Sequence, residues 1–403
     1  MSYWVLGGVQ TDFARSLARE GADFAALCSE VLGSLFESLP VEPTDVETIH
    51  VANAFGEAYQ GQGHLGTMPA TVLPQLQWLP ASRHEAACAS GSMAALGALK
   101  DLATGSHCVL VVGLELERSA GRDAGGLMSG ASWVGHEADG VSLTWPYVFD
   151  RIREEYDRRY GLDDGVLRAI SALNLGNARA NPLAQTRGWP EVDLAGPAGT
   201  SDETNPFVLG GLRRSDCSQI TDGGVAVLLV DDEFLDRRPE LRSHASRIVG
   251  TAHGTGPLGL QTKLEQSADG GYLMPGVKKV ADRALAAAGT TVAEIDLFEV
   301  HDCFSISELV IVEHLGLAAP GKGAQLLETG QLAPDGGSPV NPSGGLLGVG
   351  HPVGASGLRM LLDAHRQVTG SAGDYQVQGA RRAMTLNFGG SMATVASLIV
   401  EGA

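Results

Sequence analysis

Positive charge is scarce in this 403-residue chain, in which 28 lysine and arginine residues stand against 47 aspartate and glutamate residues, a formal net charge of −19. This balance disfavours nucleic acids and anionic membrane surfaces as partners, because both need a basic face. A negatively charged substrate must therefore be received by a local patch of basic side chains or backbone N–H groups.

Cysteine is also sparse, and its five copies are scattered without a Cys-x-x-Cys pair. This spacing argues against a disulfide framework and a structural zinc site, and it suits a reducing compartment. The first residues lack a basic segment before an apolar run, no stretch approaches the roughly 18 apolar residues of a spanning helix, and the last three residues are not Ser-Lys-Leu. We therefore expect a cytoplasmic protein with no membrane partner. The cysteines are Cys28, Cys88, Cys108, Cys217 and Cys303.

One turn of small residues is notable because it contains a cysteine. Apolar residues at helical spacing follow Cys88, Gly105 can end that helix, and the run from Val109 to Val112 is typical of a buried strand. Cys88 thus precedes a helix N-terminus, where backbone N–H groups and the helix dipole favour a thiolate. Free cysteine is as often a small apolar filler of a core, so this stretch alone leaves nucleophile and filler equally open.

Two segments interrupt the regular alternation of strands and helices. Residues 119–213 begin with many Gly, Ala and Ser residues and become polar towards their end. We expect this insertion to cover a site, while a structural or dimer-building role explains it equally well. The Gly- and Gln-rich segment from Gly56 to Met68 is expected to be a loop, and His64 within it is a weak candidate for a functional residue.

The chain contains an internal repeat. Residues 294–302 resemble residues 45–53 in pattern, and the turn, helix and strand that begin at His351 repeat those around Cys88. Two copies of one βα unit predict an α/β protein of two halves related by a pseudo-twofold axis, with the two special turns facing each other. We place the N-terminal half at 1–236, including the insertion, and the C-terminal half at 237–403.

Two further polar clusters belong to the second half. His301-Asp-Cys-Phe follows an apolar strand, and the spacing of Ser305 and Glu308 predicts a capping box that opens the next helix. The glycine-rich segment 341–357 contains His351 directly before a helix, and its glycines permit close approach of the backbone. It has neither the Gly-Lys-Ser/Thr of a phosphate loop nor the dinucleotide fingerprint, so phosphate binding is the weaker explanation.

Cys88, Cys303, His301 and His351 together suit one kind of chemistry. A thiol nucleophile needs a base, a second thiol can move a proton on and off carbon, and imidazoles and backbone N–H groups stabilise oxyanions. Formation or cleavage of a carbon–carbon bond at a thioester requires all of these groups.

These motifs resemble the thiolase family over nearly the whole chain. The resemblance is carried by Ala87-Cys-Ala-Ser-Gly, Asp222-Gly-Gly-Val-Ala and Gly350-His-Pro-Val-Gly-Ala-Ser-Gly. The block His301-Asp-Cys-Phe is similar to the sterol-carrier-protein-2-type branch rather than to thiolases with Asn-Glu-Ala-Phe at that place. Most thiolases have a cysteine in the last glycine-rich motif, where this chain has Asn387. The sterol-carrier-protein-2-type branch also lacks this cysteine and takes its second thiol from the His-Asp-Cys-Phe block.

The resemblance implies two thiolase halves in a five-layer α-β-α-β-α body, with the insertion 119–213 forming a loop domain over a pantetheine tunnel. The implied activity is that of an acyl-CoA C-acyltransferase, which cleaves a 3-ketoacyl-CoA with CoA or condenses two acyl-CoA molecules. CoA and acyl-CoA are then substrates, with no tightly bound cofactor and no metal, and the implied assembly is a homodimer or tetramer. Two alternatives stay open. One is a condensing enzyme of secondary metabolism with a non-CoA acceptor, and the other is a thiolase-shaped subunit that needs a small OB-fold or zinc-ribbon partner.

The same resemblance implies roles for individual residues. Cys88 would be the nucleophile acylated by the acyl-CoA, His351 the group that activates it, and Cys303 the acid/base at the substrate α-carbon. His301 would join His351 in polarising the thioester oxygen. The backbone N–H groups of Cys88 and Gly389 would hold the oxyanion of the tetrahedral intermediate.

The resemblance also implies a place for Asn387. This residue takes the position of the usual last cysteine, so we expect it to lie beside Gly389 among the oxyanion and substrate-binding groups.

Overall fold

The computed structural model describes residues 2–267 and 271–402. The strands are β1 (Tyr3–Gln10), β2 (Thr48–Ala52), β3 (Ala81–His84), β4 (Cys108–Leu116), β5 (Phe207–Leu209), β6 (Leu212–Arg213), β7 (Asp222–Asp231), β8 (Ser246–Thr255), β9 (Leu297–Val300), β10 (Arg382–Gly389) and β11 (Thr394–Gly402). The helices are α1 (Leu17–Glu20), α2 (Phe24–Ser38), α3 (Gly56–Gln60), α4 (Met68–Val72), α5 (Ser90–Ala103), α6 (Ala124–Leu127), α7 (Thr144–Tyr160), α8 (Asp164–Ala178), α9 (Pro197–Thr200), α10 (Asp232–Arg237), α11 (Leu260–Gln266), α12 (Pro275–Ala288), α13 (Ser305–Leu315), α14 (Ala324–Glu328), α15 (Gly345–Val349) and α16 (Val353–Val368). Among the described residues, no helix is both long and apolar enough to cross a membrane.

The main sheet has its strands in the order β3-β2-β4-β7-β1-β8-β11-β10-β9. The second half repeats the pairing of the first. Strand β2 is parallel to β4 as β9 is to β10, and the next two pairs in each half are antiparallel. The halves join where Tyr3–Val5 of β1 pairs with Ser246–Ile248 of β8. The internal repeat predicted from the sequence is therefore confirmed by the strand order.

Helices cover the half-sheets and also separate them. Helix α2 packs on the first half and α12 on the second, while α16 contacts β4 and β7 of the first half and β10 and β11 of the second. Helix α5 packs against α16, and a Cβ at Gly91 would lie 2.6 Å from the backbone nitrogen of Leu358, so this close approach requires glycine. The result is the expected five-layer α-β-α-β-α body.

The apolar pattern of each element explains its place in these layers. Strands β4 and β7 are buried along their whole length, as expected for strands with helices on both faces. Helix α2 buries a stripe at helical spacing that includes Phe24, Leu27, Val31 and Leu35. These apolar layers hold the strand ends, where the polar clusters lie, in fixed positions.

One local prediction was wrong because it missed short helices. Residues 56–60 form α3 and α4 begins at Met68, within the segment that we expected to be a loop. His64 lies between these helices with a left-handed backbone (φ 55°) and an exposed side chain. It is not among the residues that line the cavity described below.

The predicted capping box at the start of α13 was also wrong. The hydroxyl of Ser307, not the carboxylate of Glu308, accepts the hydrogen bond from the backbone N–H of Phe304 (3.2 Å). The hydroxyl of Ser305 instead donates to the carboxylate of Asp216 (2.8 Å). Glu308 faces the protein interior because a buried polar network, described below, takes up its carboxylate.

A charged side chain lies at the centre of α16 without contact to solvent. The Nη1 of Arg359 donates to Glu299 at 3.1 Å, to Asp363 at 2.9 Å and to the hydroxyl of Ser343 at 2.9 Å. Arg359, Glu299 and Asp363 all have 0% side-chain exposure. This cluster ties α16, which begins next to His351, to the glycine-rich segment and to β9.

We expect Arg359→Met to destabilise the fold by about 3–5 kcal/mol, because it leaves the buried carboxylate of Glu299 without a cation and removes one of the two cations that pair with Asp363. Urea unfolding followed by circular dichroism measures the loss. Arg366→Met is the matched control, since Arg366 is on the same helix and pairs with the same Asp363 at 3.2 Å but is partly exposed. Equal losses in the two variants would contradict the prediction.

Candidate active site

A cavity of about 310 Å³ is lined by both halves of the chain. Cys88, Cys303 and His351 all lie in its wall, so the structure brings together three residues that are far apart in the sequence. The insertion supplies another part of the wall, which includes Met128 and Trp145. The insertion therefore contributes directly to the wall of this cavity.

The turn between β3 and α5 places the Cys88 thiol in the cavity. Ala87 has a left-handed backbone (φ 49°) and α5 begins at Ser90, so Cys88 does precede a helix N-terminus. Burial and the nearby carboxylate of Glu117 nevertheless raise the pKa of Cys88 to about 12, although a hydrogen bond from the backbone N–H of Gly390 acts in the other direction. The predicted bias towards thiolate is wrong for the free site, because desolvation outweighs the helix terminus.

His351 is held as a neutral base. Its backbone N–H donates to Oγ1 of Thr221 at 2.9 Å, and its Nδ1 lies 2.7 Å from the hydroxyl of Ser356. That hydroxyl donates to the carbonyl of Pro352 at 2.8 Å, so it accepts from the Nδ1–H of His351 and leaves a lone pair on Nε2. Burial, with a contribution from Arg359, lowers the pKa of His351 to about 3.

His301 has the opposite tautomer. The side-chain N–H of Asn387 donates to Nδ1 of His301 at 2.8 Å, and the carbonyl oxygen of Asn387 accepts from Ser92 at 3.0 Å. The ring proton of His301 is therefore on Nε2, which is buried and has no hydrogen-bond partner among the described residues. Burial and the neighbouring His351 lower the pKa of His301 well below its usual value, so the ring offers a free N–H donor.

One donor atom each of Cys88, His301 and His351 lies within 4.8 Å of the other two. Sulfur and imidazole are also donors that zinc takes. The amide N–H that points at Nδ1 of His301, however, keeps a proton on Nε2, and a ring nitrogen that carries a proton cannot bind a metal. The tautomer that these hydrogen bonds indicate suits hydrogen bonding to an oxyanion better than metal coordination.

Cys303 follows β9 and shares the cavity with Cys88. Its sulfur lies 3.9 Å from the hydroxyl of Ser307, and the residue is 5% exposed. Burial and the proximity of Cys88 raise the pKa of Cys303 well above its usual value. Burial therefore favours the protonated thiol at both Cys88 and Cys303.

At the last glycine-rich motif, the structure differs in detail from what the sequence predicted. A Cβ at Gly389 would lie 2.0 Å from the carbonyl oxygen of Ala86, so the Cys88 turn and this motif approach each other too closely for any other residue. The backbone N–H groups that lower the pKa of the Cys88 thiol are those of Cys88 itself, which the sequence analysis selected, and of Gly390, which it did not. Asn387 is absent from the described cavity wall and acts instead on His301.

A buried polar network that the sequence did not reveal lies behind these residues. Asp302 accepts from the backbone N–H groups of Leu346 and Leu347 at 2.5 and 3.2 Å. Glu308 accepts from the side chains of Asn174 and Asn341 at 2.6 and 2.7 Å. These bonds fix the glycine-rich segment before His351 to the loop that contains His301 and Cys303.

The chain is similar to known proteins over almost all of its length. Residues 261–402 match the family model described as thiolase C-terminal domain-like. The chain is 30% identical to an acetyl-CoA acetyltransferase of Methanothermobacter thermautotrophicus over 97% of each chain. It is 28% identical to sterol carrier protein 2 of Gallus gallus, with 99% of this chain and 72% of that protein covered.

A solved structure has the same fold at lower identity. The Ltp2-ChsH2(DUF35) aldolase superposes with a TM-score of 0.79 and 20% identity, with 100% of this chain and 98% of that chain covered. With Cys88, Cys303 and His351 in the wall of one cavity and His301 grouped with Cys88 and His351, the chain belongs to the thiolase family and is an acyltransferase of that family.

Proposed function

We propose that this chain is an acyl-CoA C-acyltransferase in which Cys88 carries the acyl group, His351 takes its proton and Cys303 acts as acid and base at carbon. The observation that supports this most strongly is the convergence of Cys88, His301 and His351 within 4.8 Å, with Cys303 in the wall of the same cavity. Each side chain has the protonation state that its proposed role needs.

Acylation begins at the Cys88 sulfur. The sulfur attacks the thioester carbon while its proton passes to the free Nε2 of His351. The bond from carbon to the CoA sulfur then breaks, and that sulfur leaves with the proton from His351. The thiolate and imidazolium exist together only during attack, when their mutual attraction in a cavity shielded from water offsets the cost of each charge.

The oxyanion of this step needs donors that are already in place. The Nε2–H of His301 is such a donor, because it is buried and has no partner among the described residues. Its orientation is set by Asn387 and so requires no rearrangement when the charge develops. The backbone N–H groups of Cys88 and Gly389, with the neighbouring N–H of Gly390, complete the proposed oxyanion-binding groups.

Cleavage of a carbon–carbon bond uses the second thiol. Cys88 adds to C3 of a 3-ketoacyl-CoA, the C2–C3 bond breaks, and its electron pair forms an enolate that takes a proton from the Cys303 thiol. A shorter acyl-CoA leaves. CoA then attacks the acyl group on Cys88, its thiol proton restores Cys303, and Cys88 regains its proton from His351. The condensation is the reverse sequence.

Mass spectrometry tests the proposed nucleophile directly. The protein is mixed with a series of acyl-CoA molecules, the intact mass is measured, and the modified peptide is identified. We expect one acyl adduct, on the peptide that contains Cys88. An adduct confined to Cys303 or Cys217, or none with any acyl-CoA, would contradict the proposal.

The pH dependence of acylation follows from the two protonation states. The rate constant should change little from pH 6 to pH 9, because the pKa of Cys88 is raised to about 12, so the thiol stays protonated over this range and His351 takes its proton during attack. His351 should cause no loss between pH 5 and 7, since its pKa is lowered to about 3 and it stays neutral there. Stopped-flow release of CoA measures this, and an acid limb near pH 6.5 would contradict it.

A second cavity offers a place for the polar end of CoA. It has a volume of about 240 Å³ and shares Cys217 and Gln219 with the first, so the two are neighbours. Arg179 and Arg214 line it, with Glu191 and Asp193 on the same wall. The two arginines form no salt bridge among the described residues, which leaves them free to meet the phosphates of CoA.

We expect Arg214→Ala to raise KM for CoA several-fold with little change in kcat, because it removes a phosphate contact away from the reacting atoms. A pantetheine thioester, which lacks the nucleotide, is the control substrate and should react equally with both proteins. Equal weakening for CoA and pantetheine substrates would show that Arg214 acts on the fold instead.

A second candidate function is a thiolase that works only with a partner protein, including one that passes the acyl group to a non-CoA acceptor. It is favoured by the similar fold of the Ltp2-ChsH2(DUF35) aldolase, whose name combines two proteins. Activity of the purified chain alone, assayed for CoA release with CoA and non-CoA acceptors, decides between the two. Full thiolysis without addition of another protein would eliminate this candidate.

A further inference from the structure

An acidic side chain that the proposed mechanism does not use lies in the wall of the active cavity. Glu117, at the end of β4, lines the cavity together with Cys88 and His351 and is fully buried. The other described residues of this wall include no Asp, Glu, Lys or Arg. A buried carboxyl group in a wall with no lysine or arginine is costly unless it is hydrogen-bonded, so its contacts indicate what it does.

Both oxygens of Glu117 accept hydrogen bonds from the backbone around His351. Oε1 accepts from the N–H of Val353 at 2.7 Å, two residues after His351. Oε2 accepts from the N–H of Thr221 at 3.1 Å, and Thr221 in turn accepts the N–H of His351 through its hydroxyl. Glu117 thus holds the backbone of the His351 turn from two directions.

The surroundings of Glu117 oppose a negative charge. Glu115, two residues earlier on the same strand, is also buried and accepts from Gly354 N–H at 2.9 Å. Burial, Glu115 and Asp222 raise the pKa of Glu117 well above its usual value. The hydroxyl of Tyr59 is buried nearby and has no hydrogen-bond partner among the described residues. It is not a cation and so does not offset a negative charge on Glu117.

The charge of Glu117 acts in turn on the nucleophile. After desolvation it is the strongest influence that raises the pKa of Cys88, ahead of Glu115. A negative Glu117 and a negative Cys88 therefore disfavour each other across the cavity. The thiolate forms most readily when the carboxyl group carries a proton.

We propose that Glu117 is a positioning residue of this site, which holds the His351 turn against Cys88 and must be uncharged for the thiol to ionise. This inference rests on the proposed role of Cys88 as nucleophile and extends it to a group that does not touch the reacting atoms. It predicts that the contacts and the charge of Glu117 have separable effects.

Two variants affect the contacts and the charge to different degrees. Glu117→Gln keeps the length of the side chain and one acceptor oxygen and removes its ability to ionise, although its NH₂ group cannot accept the second backbone N–H. Glu117→Asp keeps the ionisable group but withdraws it from the N–H groups of Val353 and Thr221. Glu115→Gln is the matched control, because Glu115 is equally buried and bonds to the same helix terminus but does not line the cavity.

Alkylation of Cys88 by iodoacetamide from pH 6 to pH 10, followed by peptide mass spectrometry, measures the charge effect without substrate. We expect the alkylation rate of Glu117→Gln relative to the unmodified protein to increase with pH across this range, by up to about tenfold, which corresponds to one pKa unit. Glu115→Gln should show a smaller gain. A ratio that is constant across pH, or equal for the two variants, would overturn the electrostatic part.

The positioning part is measured by turnover. Glu117→Asp should lower kcat about tenfold or more through the displaced base, while Cys88 alkylation at pH 6 stays within about twofold of the unmodified protein. Unchanged kcat in a folded Glu117→Asp protein would overturn this part. Turnover that survives Cys88→Ala would instead refute the nucleophile and leave the alkylation comparison valid, so the two failures are distinguishable.

Discussion

Replacement of Cys88 by alanine is expected to abolish acyl transfer, with a loss of kcat on the order of 10⁴-fold or more. The reason is that the covalent intermediate cannot form, and Cys303 in the same cavity cannot replace the nucleophile. The sulfur of Cys303 lies next to the hydroxyl of Ser307. The base His351 and the donor His301 are instead grouped with Cys88 in the described structure. Thiolysis of a 3-ketoacyl-CoA, followed by CoA consumption, measures the loss.

The control for this variant is another thiol of the same cavity. Cys217 also lines the wall but is not among the grouped donor atoms, so Cys217→Ala should keep most of the activity and still form the acyl adduct. Thermal unfolding of both variants shows whether the fold is intact. Substantial thiolysis by a folded Cys88→Ala protein would remove the proposed mechanism.

Replacement of Cys303 by alanine is expected to separate two steps that occur in one cavity. Transfer of an acyl group from a simple acyl-CoA to Cys88 should continue at a nearly unchanged rate, because Cys303 takes no part in it. Thiolysis of a 3-ketoacyl-CoA should fall by about 10³-fold, since no group is left to protonate the enolate. Single-turnover adduct formation and steady-state thiolysis, measured on the same sample, give the two values.

The conservative change Cys303→Ser sharpens this test. A hydroxyl fits the same space but is a much weaker acid than a thiol, so thiolysis should stay low although packing is preserved. Recovery of thiolysis in Cys303→Ser, or an equal loss of both steps in Cys303→Ala, would contradict an acid/base role and favour a role in shaping the cavity.

The sequence predicted the main parts of the site because its motifs are local. The turn before α5 and the segment before α16 each place one functional side chain directly at a helix start, so Cys88 and His351 could be selected from spacing and resemblance. The repeated βα pattern then predicted that the two turns face each other, and the repeated strand pairing confirms the architecture behind that prediction.

What the sequence could not predict depends on burial and on contacts between distant segments. The helix terminus at Cys88 favours a thiolate, but the degree of desolvation that opposes it is a property of the folded cavity. Glu308 matches a capping box by spacing, yet Asn174 and Asn341 draw its carboxylate inward. Glu117 resembles any acidic residue after a strand until Val353 and Thr221 are placed next to it.

The backbone pairing of β1 with β8 constrains how molecules reach the reacting groups. Many two-lobed enzymes admit their ligands by swinging the lobes apart about a linker, but here the lobes share one hydrogen-bonded sheet and such a swing would break it. We therefore expect ligand exchange to depend on movement of residues 119–213, part of which lines the cavity, rather than on relative motion of the two halves.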